Sequence, residues 1–207
     1  MAQARKLREL LDRRVVFLDG GAGTWLLEHG MPGDGSTEEW ALEHRELLSR
    51  MHREYIEAGP DMILTCTFGG TGPKLGSARR VFDVNCALAE TALKTAGGKV
   101  LVGASVGPTG ELLHPSGTLT WNDAYRCYLD QARALSRTGI DIFFLETFSD
   151  PRELKAAILA VRDTSPDGFI SAQMSFGSEG RTLSGTGPSA LAAFMDRLPV
   201  DACGANC

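Results

Sequence analysis

Short apolar runs recur along the chain, and between them apolar positions fall three and four apart, the spacing of helices with one buried face. Runs at residues 15–18, 62–64, 100–104, 140–145, 169–174 and 200–205 predict six strands. Helical stretches over 43–58, 83–96, 122–136, 151–162 and 189–197 separate them. The stripe of Leu47, Leu48, Met51, Tyr55 and Ile56 marks the first long helix, and Gly59, Gly97 and Gly139 stand where helices should stop. At the amino end, Leu7, Leu10 and Leu11 predict a short amphipathic helix that covers the bottom of the fold. Strands that are apolar throughout are buried on both faces, and with helices between them they form a parallel sheet.

Polar residues gather at the ends of these strands. Asp19 ends the first, Thr65 and Thr67 the second and Ser105 the third; Glu146 and Thr147 end the fourth, Ser175 the fifth, and Asn206 and Cys207 the sixth. An open, doubly wound sheet concentrates its site at one switch point, whereas a barrel collects groups from many strands on one rim. The pattern therefore predicts a (β/α)8 TIM barrel of which about six βα units are present. A complete barrel takes about 250 residues, so residues 1–207 are expected to form one domain, incomplete at its carboxyl-terminal end.

Composition is that of an ordinary globular protein, 43% hydrophobic and 23% charged, with a net charge of −5. No Lys/Arg block suggests a nucleic-acid partner, and no apolar run approaches the roughly 20 residues that cross a bilayer. The amino end has no apolar stretch of the kind that follows a targeting signal. Five cysteines, an odd number without scaffold spacing, point to a reducing, cytoplasmic compartment.

Candidate chemistry sits at the strand ends. Leu18-Asp19-Gly20-Gly21-Ala22-Gly23-Thr24 is a strand entering a glycine turn, where backbone N–H groups can approach a carboxylate or phosphate. Glu146 ends a strongly apolar strand and can pair with Asp19 across the barrel mouth, either as acid and base or as a seat for an ammonium group. Thr65 and Thr67 place two hydroxyls on one side of a strand end. Cys66 should then face the helices, and Cys86 and Cys127 read as buried helix residues. Cys203 and Cys207 share a strand face at a spacing that suits zinc poorly. His29, His44, His52 and His114 form no metal pair and read as surface or helix-face residues.

These segments, with Tyr55-Ile56-Glu57-Ala58-Gly59-Pro60-Asp61, Thr65-Cys66-Thr67-Phe68, Gly103-Ala104-Ser105-Val106-Gly107-Pro108-Thr109, Glu146-Thr147 and Gly204-Ala205-Asn206-Cys207, resemble the homocysteine S-methyltransferase domain in order and spacing. Gly180-Arg181-Thr182-Leu183-Ser184-Gly185 is most similar to the branch of cobalamin-dependent methionine synthase. The resemblance implies a barrel that binds zinc through three cysteine thiolates, of which Cys207 matches the first. The other two belong to an adjacent Cys-Cys pair that this sequence lacks. It further implies that Asp19 and Glu146 hold the homocysteine ammonium, that N–H groups around Gly20 and Gly21 meet its carboxylate, and that Thr67 belongs to the substrate site. The zinc-bound thiolate would accept a methyl group to form methionine. Methylcobalamin on another domain would be the donor, recharged on a folate-binding domain. Two rival readings stand beside this one: a homocysteine-binding or structural barrel fragment without activity of its own, and a barrel hydrolase or lyase using Asp19 and Glu146 as acid and base.

Overall fold

The computed structural model describes residues 2–207. In chain order its elements are α1 (Ala2–Leu11), α2 (Ala22–Glu28), α3 (Thr37–Glu43), α4 (Arg45–Ala58), β1 (Met62–Leu64), α5 (Gly72–Leu75), α6 (Ala78–Ala96) and β2 (Leu101–Val106). They continue with α7 (Trp121–Arg137), β3 (Ile142–Phe148), α8 (Pro151–Thr164), β4 (Phe169–Met174), α9 (Pro188–Met195) and β5 (Ala202–Ala205). The strands form one sheet in the order β1-β2-β3-β4-β5, every neighbouring pair parallel. Leu18 bridges Met62 in parallel and so places the first predicted strand in front of β1. A sheet that never reverses its order is the wall of an α/β barrel, not a doubly wound sheet.

The first predicted strand is reduced to that single bridge. Its backbone still pairs with its neighbour, since the Asp61 and Met62 N–H groups donate to Phe17 O and the Asp19 N–H to Met62 O. Among the described residues it has a partner on one side only, and Val15 and Phe17 are 70% and 65% exposed. A strand paired along one edge to a three-residue neighbour has too short a ladder to extend.

Side chains alternate across the wall as a strand requires. Met62, Leu101, Ile142, Phe144 and Phe169 point inward and pack with Ala4 and Leu7 of α1. That helix is fastened at its start: the Ala4 N–H donates to Asp141 Oδ1, and Gln3 Oε1 accepts the Val102 N–H. It covers the bottom of the barrel, as its leucine spacing predicts. The alternate positions Ile63, Val102, Ala104, Phe143, Leu145, Ile170 and Ala172 face the helices. Each large side chain buried there stabilises the fold by about 2–3 kcal/mol, and Ala156, Ala157 and Ala160 let α8 lie close. His52 departs from expectation. It is fully buried on α4 with neither ring nitrogen partnered, and burial pushes its pKa down to about 4, so it is held neutral. No helix among the described residues is long and apolar enough to cross a membrane.

The segment after β1, residues 65–71, carries much of the rim and is pinned by buried side chains from three helices. Glu38 Oε1 of α3 accepts the Gly69 N–H at 2.5 Å. Asn85 Nδ2 of α6 donates to Gly70 O, and Gln131 Nε2 of α7 donates to Thr67 O, both at 2.7 Å. A Cβ at Gly70 would overlap Asn85 Oδ1 and stand 2.7 Å from Gln131 Nε2. Gly70→Ala should therefore lower unfolding stability by about 2–4 kcal/mol, read from urea denaturation. A midpoint equal to wild type would show that the Asn85–Gln131 pair does not fix this segment.

Candidate functional site

The carboxyl ends of the strands surround a cavity of about 480 Å³. Asp19 enters it directly after the first predicted strand, where Oδ2 accepts the Leu64 N–H at 3.0 Å. Glu146 enters from β3, where Oε1 accepts the Ser105 hydroxyl at 2.5 Å. The cavity also holds Glu38, yet among the described residues no lysine, arginine or histidine lines it. Burial pushes the Asp19 carboxyl up to about 7; the Leu64 N–H opposes the rise and the nearby Glu146 charge adds to it. Burial raises Glu146 as well, against the pull of the Ser105 hydroxyl. Half-buried carboxylates without a basic partner favour an incoming cation.

Gly20 and Gly21 line the same cavity, and Gly21 precedes α2 without any side-chain cap. A Cβ at Gly20 would lie 2.9 Å from the Tyr55 ring, so a larger residue there would have to displace that ring. The Tyr55 hydroxyl donates to Gly21 O at 3.2 Å and steadies the turn.

Thr67 is not brought to the cavity. It is fully buried, and its hydroxyl donates to Ser105 O at 2.8 Å and contacts Thr65 Oγ1 at 2.6 Å. The wall at this point is Thr65, because the chain turns away after β1. Cys66 lines the cavity from within the apolar cluster of Leu26, Ala41 and Leu48. Burial, with the Glu38 charge adding to it, holds its thiol far above the ordinary range. Cys86 and Cys127 are half-buried rather than core residues, and Cys203 is exposed.

Cys207 is exposed at the cavity edge. Its neighbour Asn206 holds Thr147 twice: Oδ1 accepts the Thr147 N–H, and Nδ2 donates to Thr147 Oγ1, each at 2.8 Å. Asn206 Nδ2 lies 3.5 Å and Thr147 Oγ1 3.8 Å from the Cys207 sulfur. Thr147 has φ 65, a conformation that costs a β-branched residue energy. It sits where the β3–β4 register shifts between Leu145 and Phe148, and such a bulge re-aims side chains at a strand end.

Zinc needs about three protein ligands plus a substrate position. Among the described residues no group of three Cys, His, Asp or Glu side chains is placed to hold a metal. At the cavity Cys207 supplies the exposed thiol, while Cys66 lines it as a buried residue whose thiol is held far above the ordinary range. The residues present therefore do not make up a zinc centre.

Sequence reasoning passed over Glu38. Ser36 caps α3 by accepting the Glu39 N–H, a start signal readable from Ser36-Thr37-Glu38-Glu39, and that helix start is what swings Glu38 inward.

A sequence model described as homocysteine S-methyltransferase matches residues 16–207. The chain is 29% identical to methionine synthase of Mycobacterium leprae, over 97% of this chain and 18% of that protein. It is 27% identical to betaine–homocysteine S-methyltransferase 1 of Xenopus laevis, over all of this chain and 53% of that protein. It thus spans less than two thirds of either relative. The metallated crystal form of the homocysteine methyltransferase MmuM from Escherichia coli superposes with a TM-score of 0.84 at 22% identity, over 97% of this chain and 77% of that one.

The raised pKa of Asp19 has a consequence for stability. Between its ordinary value of 3.8 and about 7 the folded state binds more protons than the unfolded state, so stability falls as pH rises through that window. Asp19→Asn should stabilise the free protein at pH 8, by an amount of order 2 kcal/mol, with the gain vanishing near pH 4. Denaturation at several pH values checks this; a variant less stable than wild type at pH 8 would contradict it.

Proposed function

The chain belongs to the homocysteine S-methyltransferase family, and from that premise we propose that its cavity binds homocysteine for methylation of the thiol to give methionine. The observation that carries the substrate reading is a cavity with three carboxylates and no basic side chain. Such a cavity suits an ammonium group, and Asp19 and Glu146 would hold it. The N–H groups at Gly20 and Gly21 would meet the substrate carboxylate. An amino acid gripped at both ends has its side chain directed to the strand end where Thr147, Asn206 and Cys207 stand. Fixing the sulfur in one place lowers the entropic cost of reaching a donor.

In the reaction the sulfur bonds to the methyl carbon, the bond from that carbon to the donor breaks, and the thiol proton is lost. Zinc, if held at this site, would supply the acidity that makes the thiol lose its proton at neutral pH. Since the described residues do not make a zinc centre, the role assigned to them is substrate binding. Cys207 is proposed as one thiolate of a site whose other ligands lie outside these residues, and the chain alone is a homocysteine-binding module.

The proposed donor is methylcobalamin on another domain, which would in turn draw on a folate domain. Support comes from the residues 180–185 and from the similarity to methionine synthases. Five free cysteines support a reducing, cytoplasmic location.

Calorimetric titration of the chain with homocysteine and with its des-amino analogue, mercaptobutanoate, tests the substrate reading. Homocysteine should bind more tightly. Asp19→Asn or Glu146→Gln should weaken it by about 2–5 kcal/mol, since each loses one partner of a buried charged contact. Equal binding of the two ligands, or unchanged affinity in both variants, would remove these carboxylates from the site. After dialysis against zinc, the chain should retain well under one ion per molecule; one tightly held zinc would show that these residues complete a metal site.

A further inference from the structure

Ser105, at the end of β2, is 5% exposed and bonded through backbone and side chain alike. Its N–H donates to Thr65 Oγ1 at 3.2 Å, and its carbonyl accepts the Thr67 hydroxyl at 2.8 Å. The two threonine oxygens are 2.6 Å apart. Because the single Thr67 proton goes to Ser105 O, Thr65 must donate to Thr67, and the four groups close into a ring with one arrangement of protons. That ring anchors the Ser105 backbone at the cavity wall, where Thr65 also stands. The remaining polar atom, the Ser105 hydroxyl, donates to Glu146 Oε1 at 2.5 Å.

Glu146 has no other side-chain hydrogen bond among the described residues, so Ser105 alone sets the direction of its carboxylate and leaves Oε2 for a ligand. The need for such a tie is local. Glu146 directly precedes Thr147, whose left-handed backbone sits at the register shift of β3. Its titratable neighbours around the cavity are Asp19, Glu38, Cys66 and Cys207, all of which are neutral or anionic. None of them can hold the carboxylate by charge.

We infer that Ser105 is a positioning residue: braced by the Thr65–Thr67 ring, it aims Glu146 at the substrate ammonium and thereby sets selectivity for amino-bearing thiols. The inference rests on the homocysteine reading of the cavity. It also gives Thr67 a place, one layer behind the site, as part of what holds Ser105.

The test is Ser105→Ala, which keeps the backbone ring intact and removes only the hydroxyl. Homocysteine affinity should fall about tenfold, the scale of one lost hydrogen bond to a charged group, while mercaptobutanoate affinity stays within about twofold. A similar loss for both ligands would mean a general structural role and overturn the assignment. A second readout needs no ligand: the carboxyl carbon of Glu146, followed by NMR in the free chain, should titrate at higher pH in Ser105→Ala, because a hydrogen bond to the ionised form is gone. An unchanged midpoint would overturn the assignment whatever the ligands do. Should the wild-type chain fail to bind homocysteine, the substrate reading falls, and the NMR titration alone then decides whether Ser105 governs Glu146.

Discussion

Asp19 and Glu146 stand half-buried in one cavity, with no basic side chain among the described residues to balance them. A folded protein ordinarily pairs or solvates such groups, since burying unpaired charge is among the costliest things a chain can do. Here Asp19 takes up a proton near neutrality instead. The rest of the structure can be understood as what makes this arrangement tolerable in the free protein and useful once a cation arrives. The barrel supplies rigidity, because each carboxylate is anchored by a neighbouring strand: Asp19 by the Leu64 N–H, Glu146 by Ser105.

Around that pair the rim is built from constraints that reinforce one another. The segment 65–71 is pinned by Glu38, Asn85 and Gln131 from three helices, and its two threonines brace Ser105. Gly20 is fixed by the Tyr55 ring, and Thr147 is kept in a strained backbone conformation by both polar ends of Asn206. These are small-residue and hydroxyl contacts over short distances, each of which fails if a strand end moves by a fraction of an ångström. A sheet fastened at its base by α1 and at its flank by alanine-rich helices is stiff enough to keep them.

Much of this was legible in the sequence, for a physical reason. Strands buried on both faces leave unbroken apolar runs, so β1 and β4 match their observed limits, β2, β3 and β5 lie within three residues of theirs, and the first predicted strand is reduced to a bridge. The rim residues Asp19, Ser105, Glu146 and Cys207 stood out because each is polar directly after such a run. What was hidden follows the same logic in reverse. The helices α2, α3 and α5 have seven, seven and four residues, too few for a periodic stripe to emerge. Thr67 looked like a site residue because alternation puts it beside Thr65, but the chain leaves the strand at Leu64 and the alternation stops there. His52 lies on the buried side of α4, and nothing in its local sequence marks a histidine that stays neutral and unpartnered. Glu38 was concealed by distance, since its neighbour in the fold is Gly69, thirty-one positions away.

If the carboxylate pair is a waiting seat for an ammonium group, ligand binding must convert a protonated Asp19 into an ionised one. Calorimetry of homocysteine binding at pH 6, repeated in buffers of different ionisation enthalpy, counts the protons released. With Asp19 titrating at about 7, release should approach about one proton per ligand at pH 6, fall toward none at pH 8, and be lost in Asp19→Asn. Homocysteine binding at pH 6 with no proton released by the wild-type chain would contradict the account.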